Sequence, residues 1–167
     1  MIFGRRRFVD TVENFEAAVR AQDADAAERA FAQLTRGFGK ASDTEVRAAA
    51  PRLAALLGEV PPGPRAVVAV MTGACVERGA DPLACAPDVF ASALDAFENA
   101  AVFCERWAAA DRGELPDPEG SGLEEADFER IGFEPVMGWQ ALPQFEMACV
   151  AMPTPRGSDA RFLTARG

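Results

Sequence analysis

Residues 87–109 read PDVFASALDAFENAAVFCERWAA, and they carry the longest helical periodicity in a chain of 167 residues. Apolar side chains recur in this stretch every three or four positions, which is the spacing of one face of an α-helix. We therefore predict a central helix of the core that starts at Pro87 and Asp88 and buries this apolar stripe. The predicted core residues of the stripe are Phe90, Leu94, Phe97, Cys104 and Trp107.

A first helical hairpin is predicted over residues 7–38. This segment holds two apolar stripes of the same spacing, and Asp25 followed by Glu28 predicts the N-terminal cap of the second helix. The link between the two stripes is only a few residues long. Because short links join antiparallel neighbours, we expect the two helices to pack side by side.

A second hairpin is predicted over residues 42–79. Ser42 followed by Glu45 is a capping box, so a helix begins there. Pro51 lies inside that helix and removes one backbone donor, so we expect the helix to kink or to divide in two. The Pro-rich turn at residues 61–64 predicts the start of the next helix.

The remaining sequence alternates between polar and apolar segments. Residues 111–127 read DRGELPDPEGSGLEEAD. Acidic residues, Pro and Gly dominate and leave little to bury, which predicts a flexible acidic loop. An apolar segment follows, and we expect a helix from about Pro135 to Met152, kinked at Pro143. Residues 153–167 lose the periodicity and are predicted to form a loose C-terminal tail.

Helical spacing thus extends over almost the whole chain, and no segment reads as a convincing strand. We predict a single all-α domain over residues 1–152, with five to seven helices and no sheet. Its antiparallel hairpins are expected to stack as a short solenoid-like array or as an irregular bundle.

Two segments resemble units of α-helical repeat proteins. Val46-Arg47-Ala48-Ala49-Ala50, followed by Leu53 and the Pro-rich turn, is similar to one HEAT-like unit around residues 43–79. The segment around residues 15–38, with Ala27 and Phe31 after its turn, resembles the inner hairpin of a tetratricopeptide repeat. The resemblance implies an antiparallel helical stack whose function is to bind another protein.

The residue types present argue against most catalytic mechanisms. The chain has no His and no Tyr, and Lys40 is its only Lys, so a Ser or Cys nucleophile lacks its usual base. Asp95, Glu98 and Glu105 could bind a divalent cation from one helix, but carboxylates opposite an apolar stripe are normally a solvated face. We therefore expect a protein that is not an enzyme and that uses no cofactor and no metal.

Charge and apolar length argue against two classes of partner. The formal net charge is −9, which repels phosphate backbones and anionic lipids, so we expect no nucleic acid and no membrane as partner. Residues 5–9, RRRFV, resemble the core of a twin-arginine export signal, but the apolar segment that such a signal needs does not follow. The longest apolar stretch, residues 66–76, is shorter than the ~20 residues that span a bilayer. Richness in Ala and Arg is typical of GC-rich genomes, so we expect a bacterial protein. Because neither a full export signal nor a membrane span is recognised, we expect it in the cytoplasm.

The four cysteines do not form a recognisable metal or redox motif, because their spacing fits neither a zinc knuckle nor a thioredoxin-like pair. Cys75, Cys104 and Cys149 lie in apolar segments and are predicted to be buried thiols. Cys85 is predicted to lie in a loop over residues 79–87.

Two functions agree with this pattern. The first is a non-catalytic helical module that binds another protein. The alternative is a small acidic inhibitor or immunity-type protein that covers a basic site on its partner. In the alternative, the acidic loop supplies the partner-binding residues Glu114, Asp117, Glu119, Glu124 and Glu125. A concave apolar groove would favour the module, and a convex acidic ridge would favour the inhibitor.

Overall fold

The computed structural model describes residues 7–120 and 122–152, and in these it contains seven helices and no strand. The predicted all-α class and the predicted number of helices are therefore confirmed. Residues 153–167, predicted as a loose tail, lie outside the described residues. The helices are α1 (Phe8–Arg20), α2 (Ala24–Phe38), α3 (Asp43–Leu56), α4 (Pro62–Glu77), α5 (Pro82–Ala109), α6 (Glu125–Ile131) and α7 (Phe133–Val150).

Helices α1 and α2 form the predicted antiparallel hairpin. Two aromatic pairs show the direction, because the rings of Phe8 and Phe38 lie 6.1 Å apart and those of Phe15 and Phe31 lie 5.4 Å apart. The predicted cap of α2 is wrong by two residues. Asp23 caps the helix instead, since its carboxylate accepts a hydrogen bond of 2.9 Å from the backbone N–H of Ala26.

The predicted capping box of α3 is confirmed, and it also joins the two hairpins. The Ser42 hydroxyl accepts a 3.3 Å hydrogen bond from the backbone N–H of Glu45, whose carboxylate accepts the Ser42 N–H at 3.0 Å. The other oxygen of Glu45 accepts the backbone N–H of Phe8 at 3.0 Å. These hydrogen bonds lower the pKa of Glu45, and those from Ser42 have the largest effect. Pro51 lies inside α3 without dividing it.

The boundaries around α5 and α6 differ from the prediction. Helix α5 begins at Pro82, where the Asp81 carboxylate accepts the backbone N–H of Leu83 at 3.0 Å, and Pro87 lies within it. Cys85 therefore belongs to a helix and is fully buried, so its predicted place in a loop is wrong. Helix α6 starts at Glu125, inside the segment predicted to be a loop.

The buried face of α5 is not the predicted one. Phe90, Leu94 and Phe97 are 43%, 57% and 44% exposed, so their predicted place in the core is wrong. Trp107 is buried as predicted, and Cys104 is partly buried. The buried face consists mainly of small residues with a few large ones, namely Cys85, Val89, Ser92, Ala93, Ala96, Ala100, Phe103 and Trp107.

A glycine in α7 explains why small residues of α5 face the core. A Cβ atom at Gly138 would lie 2.6 Å from the Asn99 Cβ and 2.8 Å from the Ala96 carbonyl oxygen, so the two helices touch almost backbone to backbone. On its other side, α7 meets α4 at Gly73, where a Cβ would lie 3.0 Å from that of Ala151. The close α5–α7 contact has room only for small side chains, and the bulky residues of α5 lie beside it.

Candidate functional site

The exposed bulky residues of α5 form one wall of a groove of about 850 Å³. The opposite wall comes from α7 and from Met152, which follows it. The groove is lined by Phe90, Ala93, Leu94 and Phe97 of α5 and by Leu142, Glu146, Cys149, Val150 and Met152. We call this concavity the α5–α7 groove.

The α5–α7 groove leaves large apolar side chains in contact with solvent. Val150 is 80% exposed, and the three bulky residues of α5 expose about half of their surface. Each Å² of apolar surface removed from water contributes about 25 cal/mol of favourable transfer free energy. Exposed bulky apolar side chains that cluster along a concave surface make this groove a candidate interaction site.

The helices that form the groove are strongly acidic. Helix α7 contains no Lys or Arg, and α5 contains only Arg106, which donates to the Ile131 carbonyl. Glu146 lines the groove itself, and Glu98 follows Leu94 by one helical turn on the same face of α5. The acidic residues of the two helices are Asp88, Asp95, Glu98, Glu105, Glu134 and Glu146. An apolar groove with acidic surroundings is complementary to an apolar ligand that carries positive charge.

The carboxylates considered as cation ligands are not gathered into a metal site. Asp95 accepts a hydrogen bond of 2.8 Å from Arg65, which forms an ion pair with it. Within residues 7–120 and 122–152, no group of three or more His, Cys, Asp or Glu side chains is placed to hold a metal ion. Glu98 and Glu105 are both exposed.

Burial raises the pKa of three thiols, those of Cys75, Cys85 and Cys149. Burial raises the pKa of Cys75 to about 12 and that of Cys85 to about 11. Burial also raises the pKa of Cys149, which lines the α5–α7 groove. Since the thiolate is the reactive form of cysteine, a raised pKa slows the reaction of these thiols at neutral pH.

The five predicted partner-binding residues all have exposed side chains, and they lie apart from the groove. Glu114, Asp117 and Glu119 lie between α5 and α6, Glu124 precedes α6, and Glu125 is its first residue. This segment begins beyond Trp107, which follows Phe97 by ten residues, or about 15 Å along a helix. None of these five residues lines the α5–α7 groove, so the groove and residues 111–127, which we call the acidic segment, are two separate surfaces.

The acidic segment has anchors that the sequence pattern does not predict. The indole N–H groups of Trp107 and Trp139 donate 3.1 Å hydrogen bonds to the carbonyls of Glu114 and Pro116. Both indoles belong to a small apolar cluster with Phe103, Ile131 and Val136. The sequence feature that indicates these hydrogen bonds is the pair of Trp residues, because a buried indole N–H requires an acceptor.

An ion pair in which the carboxylate is buried holds the far end of the same segment. Asp127 is 1% exposed and lies 2.9 Å from the Arg112 guanidinium, which stacks 4.8 Å above the ring of Trp107. Asp127 also accepts the backbone N–H of Glu124 at 2.9 Å, which caps α6. Asp127 thus stabilises the fold, whereas the carboxylates around it are exposed.

A second apolar concavity, of about 590 Å³, lies between α1, α2 and α4. Two of its bulky side chains, Phe15 and Val19, are already buried in the core, and among its large apolar side chains Val67 alone is strongly exposed. The α5–α7 groove has four large apolar side chains that are strongly exposed, Phe90, Leu94, Phe97 and Val150, and we therefore take it as the candidate site.

No family model matches the sequence, and neither the curated proteins nor the solved structures contain a match to it. The resemblance to helical repeats therefore stays a prediction. Among the helices of the described residues, none has the length and apolar character needed to cross a membrane.

Proposed function

We propose that this chain is a non-catalytic helical module that binds another protein through the α5–α7 groove. The observation that carries the proposal is the exposure of Phe90, Leu94 and Phe97 along one wall of a concave apolar groove. Stable monomers rarely leave such a contiguous apolar surface uncovered. The proposal includes a bacterial, cytoplasmic setting and a helical-repeat-like packing of the hairpins.

The alternative is the acidic inhibitor or immunity-type protein. It is supported by the exposure of Glu114, Asp117, Glu119, Glu124 and Glu125 on a segment that two Trp residues hold in place. These side chains offer charge but almost no apolar surface. We place the alternative second because buried apolar anchors supply most of the binding free energy of protein interfaces.

An affinity capture with three baits tests the proposal. The baits are the wild-type chain, Leu94→Glu in the groove, and Leu83→Glu as a control on the same helix. Leu83 is 76% exposed and does not line the groove, so both variants exchange an exposed Leu for Glu. We expect proteins that the wild type and Leu83→Glu recover from the native lysate and that Leu94→Glu loses.

The two variants must first show the same thermal unfolding midpoint as the wild type, since both changes are on the surface. If all three baits recover the same proteins, the groove is not the binding surface and the proposed function fails. A partner that is instead lost when Glu119 and Glu124 become Gln would favour the acidic inhibitor.

A further inference from the structure

The two walls of the α5–α7 groove have the repeat of a helix. Phe90, Leu94 and Phe97 follow the i, i+4, i+7 spacing on α5, and Leu142, Glu146 and Cys149 follow the same spacing on α7. Each wall therefore extends over about two turns, or about 10 Å. A third helix with apolar residues at the same spacing can place its ridge between two such walls.

The chemistry of the lining also favours a helical ligand over an extended one. Apart from the carboxylate of Glu146, the side chains that line the groove are apolar. An extended peptide would lose water from its backbone N–H and C=O groups there without gaining partners, which is costly. Strand addition needs a sheet edge, and the described part of the chain has no strand. A helix satisfies its own backbone hydrogen bonds.

The charge around the groove favours one sign of charge on the ligand. Glu146 is in the lining and Glu98 is one turn beyond Leu94, whereas no Lys or Arg lines the groove in the described residues. A second copy of this chain would bring the same carboxylates against each other, which like-charge repulsion opposes. A ligand with Lys or Arg beside its apolar face would instead meet opposite charge.

From this geometry we infer that the α5–α7 groove binds a basic amphipathic helix of a partner protein. The inference rests on the proposed function and names the ligand class of the same site. The apolar face of the helix packs between Phe97 and Leu142, and its Lys or Arg residues lie near Glu98 and Glu146. The apolar contacts supply the affinity, and the carboxylates select the charge of the ligand and speed its association.

The test uses fluorescent peptides of about 18 residues, which form about five helical turns. The first peptide carries Leu at i, i+4, i+7 and Lys on both sides of that stripe. The second replaces every Lys with Glu, and the third keeps the composition of the first but scrambles its order. Fluorescence anisotropy with the full chain gives the three dissociation constants at low and at high salt.

Two charge-reversed proteins complete the experiment. Glu98→Lys with Glu146→Lys reverses the charge at the groove. Glu114→Lys with Glu119→Lys makes the same change in net charge on the acidic segment and is the matched control. We expect the Lys peptide to bind the wild type and the control alike, with salt weakening the binding. The groove variant should bind it about tenfold more weakly and should prefer the Glu peptide.

Several outcomes would overturn the inference. Equal binding of the Lys and Glu peptides, or of the scrambled peptide, would show that the groove does not select a basic amphipathic helix. Weaker binding by the control pair would assign the peptide to the acidic segment. A dimer in light scattering that Leu94→Glu abolishes would assign the groove to a second copy. Tighter peptide binding by a chain with Phe162→Ser and Leu163→Ser would show that residues 153–167 compete with the peptide for the groove.

The inference and the proposed function fail in different ways. If Leu94→Glu loses cellular partners while the groove variant binds every peptide like the wild type, the groove binds protein and its ligand class is wrong. If the Leu94→Glu bait recovers every partner that the wild type recovers, the proposed function fails together with the inference.

Discussion

The contact between α5 and α7 at Gly138 leads to a sharp prediction about stability. An Ala at this position would bring its Cβ to 2.6 Å from the Asn99 Cβ, 2.8 Å from the Ala96 carbonyl oxygen and 3.0 Å from the Ala100 backbone nitrogen. Two of these three atoms belong to the backbone of α5, so the helices must separate. Overpacking of this kind costs about 3 kcal/mol, and the higher helix propensity of Ala returns about 1 kcal/mol. We expect Gly138→Ala to lower the free energy of unfolding by about 2 kcal/mol.

Gly37→Ala is the matched control, because Gly37 also lies inside a helix. A Cβ there would lie 3.6 Å from the Phe8 Cδ2, which is an ordinary contact. Helix propensity alone then acts, and we expect a gain of about 0.5 kcal/mol. Urea unfolding followed by circular dichroism measures both variants. If Gly138→Ala is as stable as Gly37→Ala, the two helices do not approach closely and the explanation of the exposed stripe is wrong.

Three further predictions test the core and its charges. Phe103→Ala should cost about 3–5 kcal/mol, and Phe97→Ala should cost less than half as much because it is 44% exposed; equal urea midpoints would contradict this. Arg52 lowers the pKa of Glu16 below its ordinary 4.5, so the stability advantage over Glu16→Gln should be present above pH 4.5 and decrease at lower pH; a constant difference would contradict the ion pair. Asp127→Ala should cost about 1–2 kcal/mol, because it removes the carboxylate that caps α6 and that pairs with Arg112; a change below about 0.5 kcal/mol would mark Asp127 as an ordinary surface residue.

The sequence predicts most of the helices because apolar spacing and capping act locally. The Ser42 and Glu45 capping box and the short link between α1 and α2 act within a few residues, and both predictions are confirmed. Helix α6 is missed because it has only seven residues and lies in an acidic stretch. Its stability depends on distant partners such as Arg112, which no local pattern identifies.

The candidate site is harder to predict because it depends on which face of α5 is buried. Helix α5 is apolar on two sides, one with bulky residues such as Phe90 and Leu94 and one with small residues such as Ala96 and Ala100. Periodicity alone favours the bulky face as the core. The outcome is decided by Gly138, almost forty residues away from Ala100, because close backbone contact selects the small face.

Modification of Cys149 tests most directly whether a basic helix occupies the α5–α7 groove. Cys149 lines the groove, whereas Cys104 packs against the separate cluster around Phe103 and provides an internal reference. Mass spectrometry follows the alkylation of both thiols in mildly alkaline buffer, with and without a saturating amount of the Lys peptide. We expect the bound peptide to slow alkylation of Cys149 about tenfold by covering it, as ligands cover the surface that they bury, and to leave Cys104 unchanged. An unchanged rate at Cys149 while the peptide is bound would place the peptide elsewhere and contradict the account.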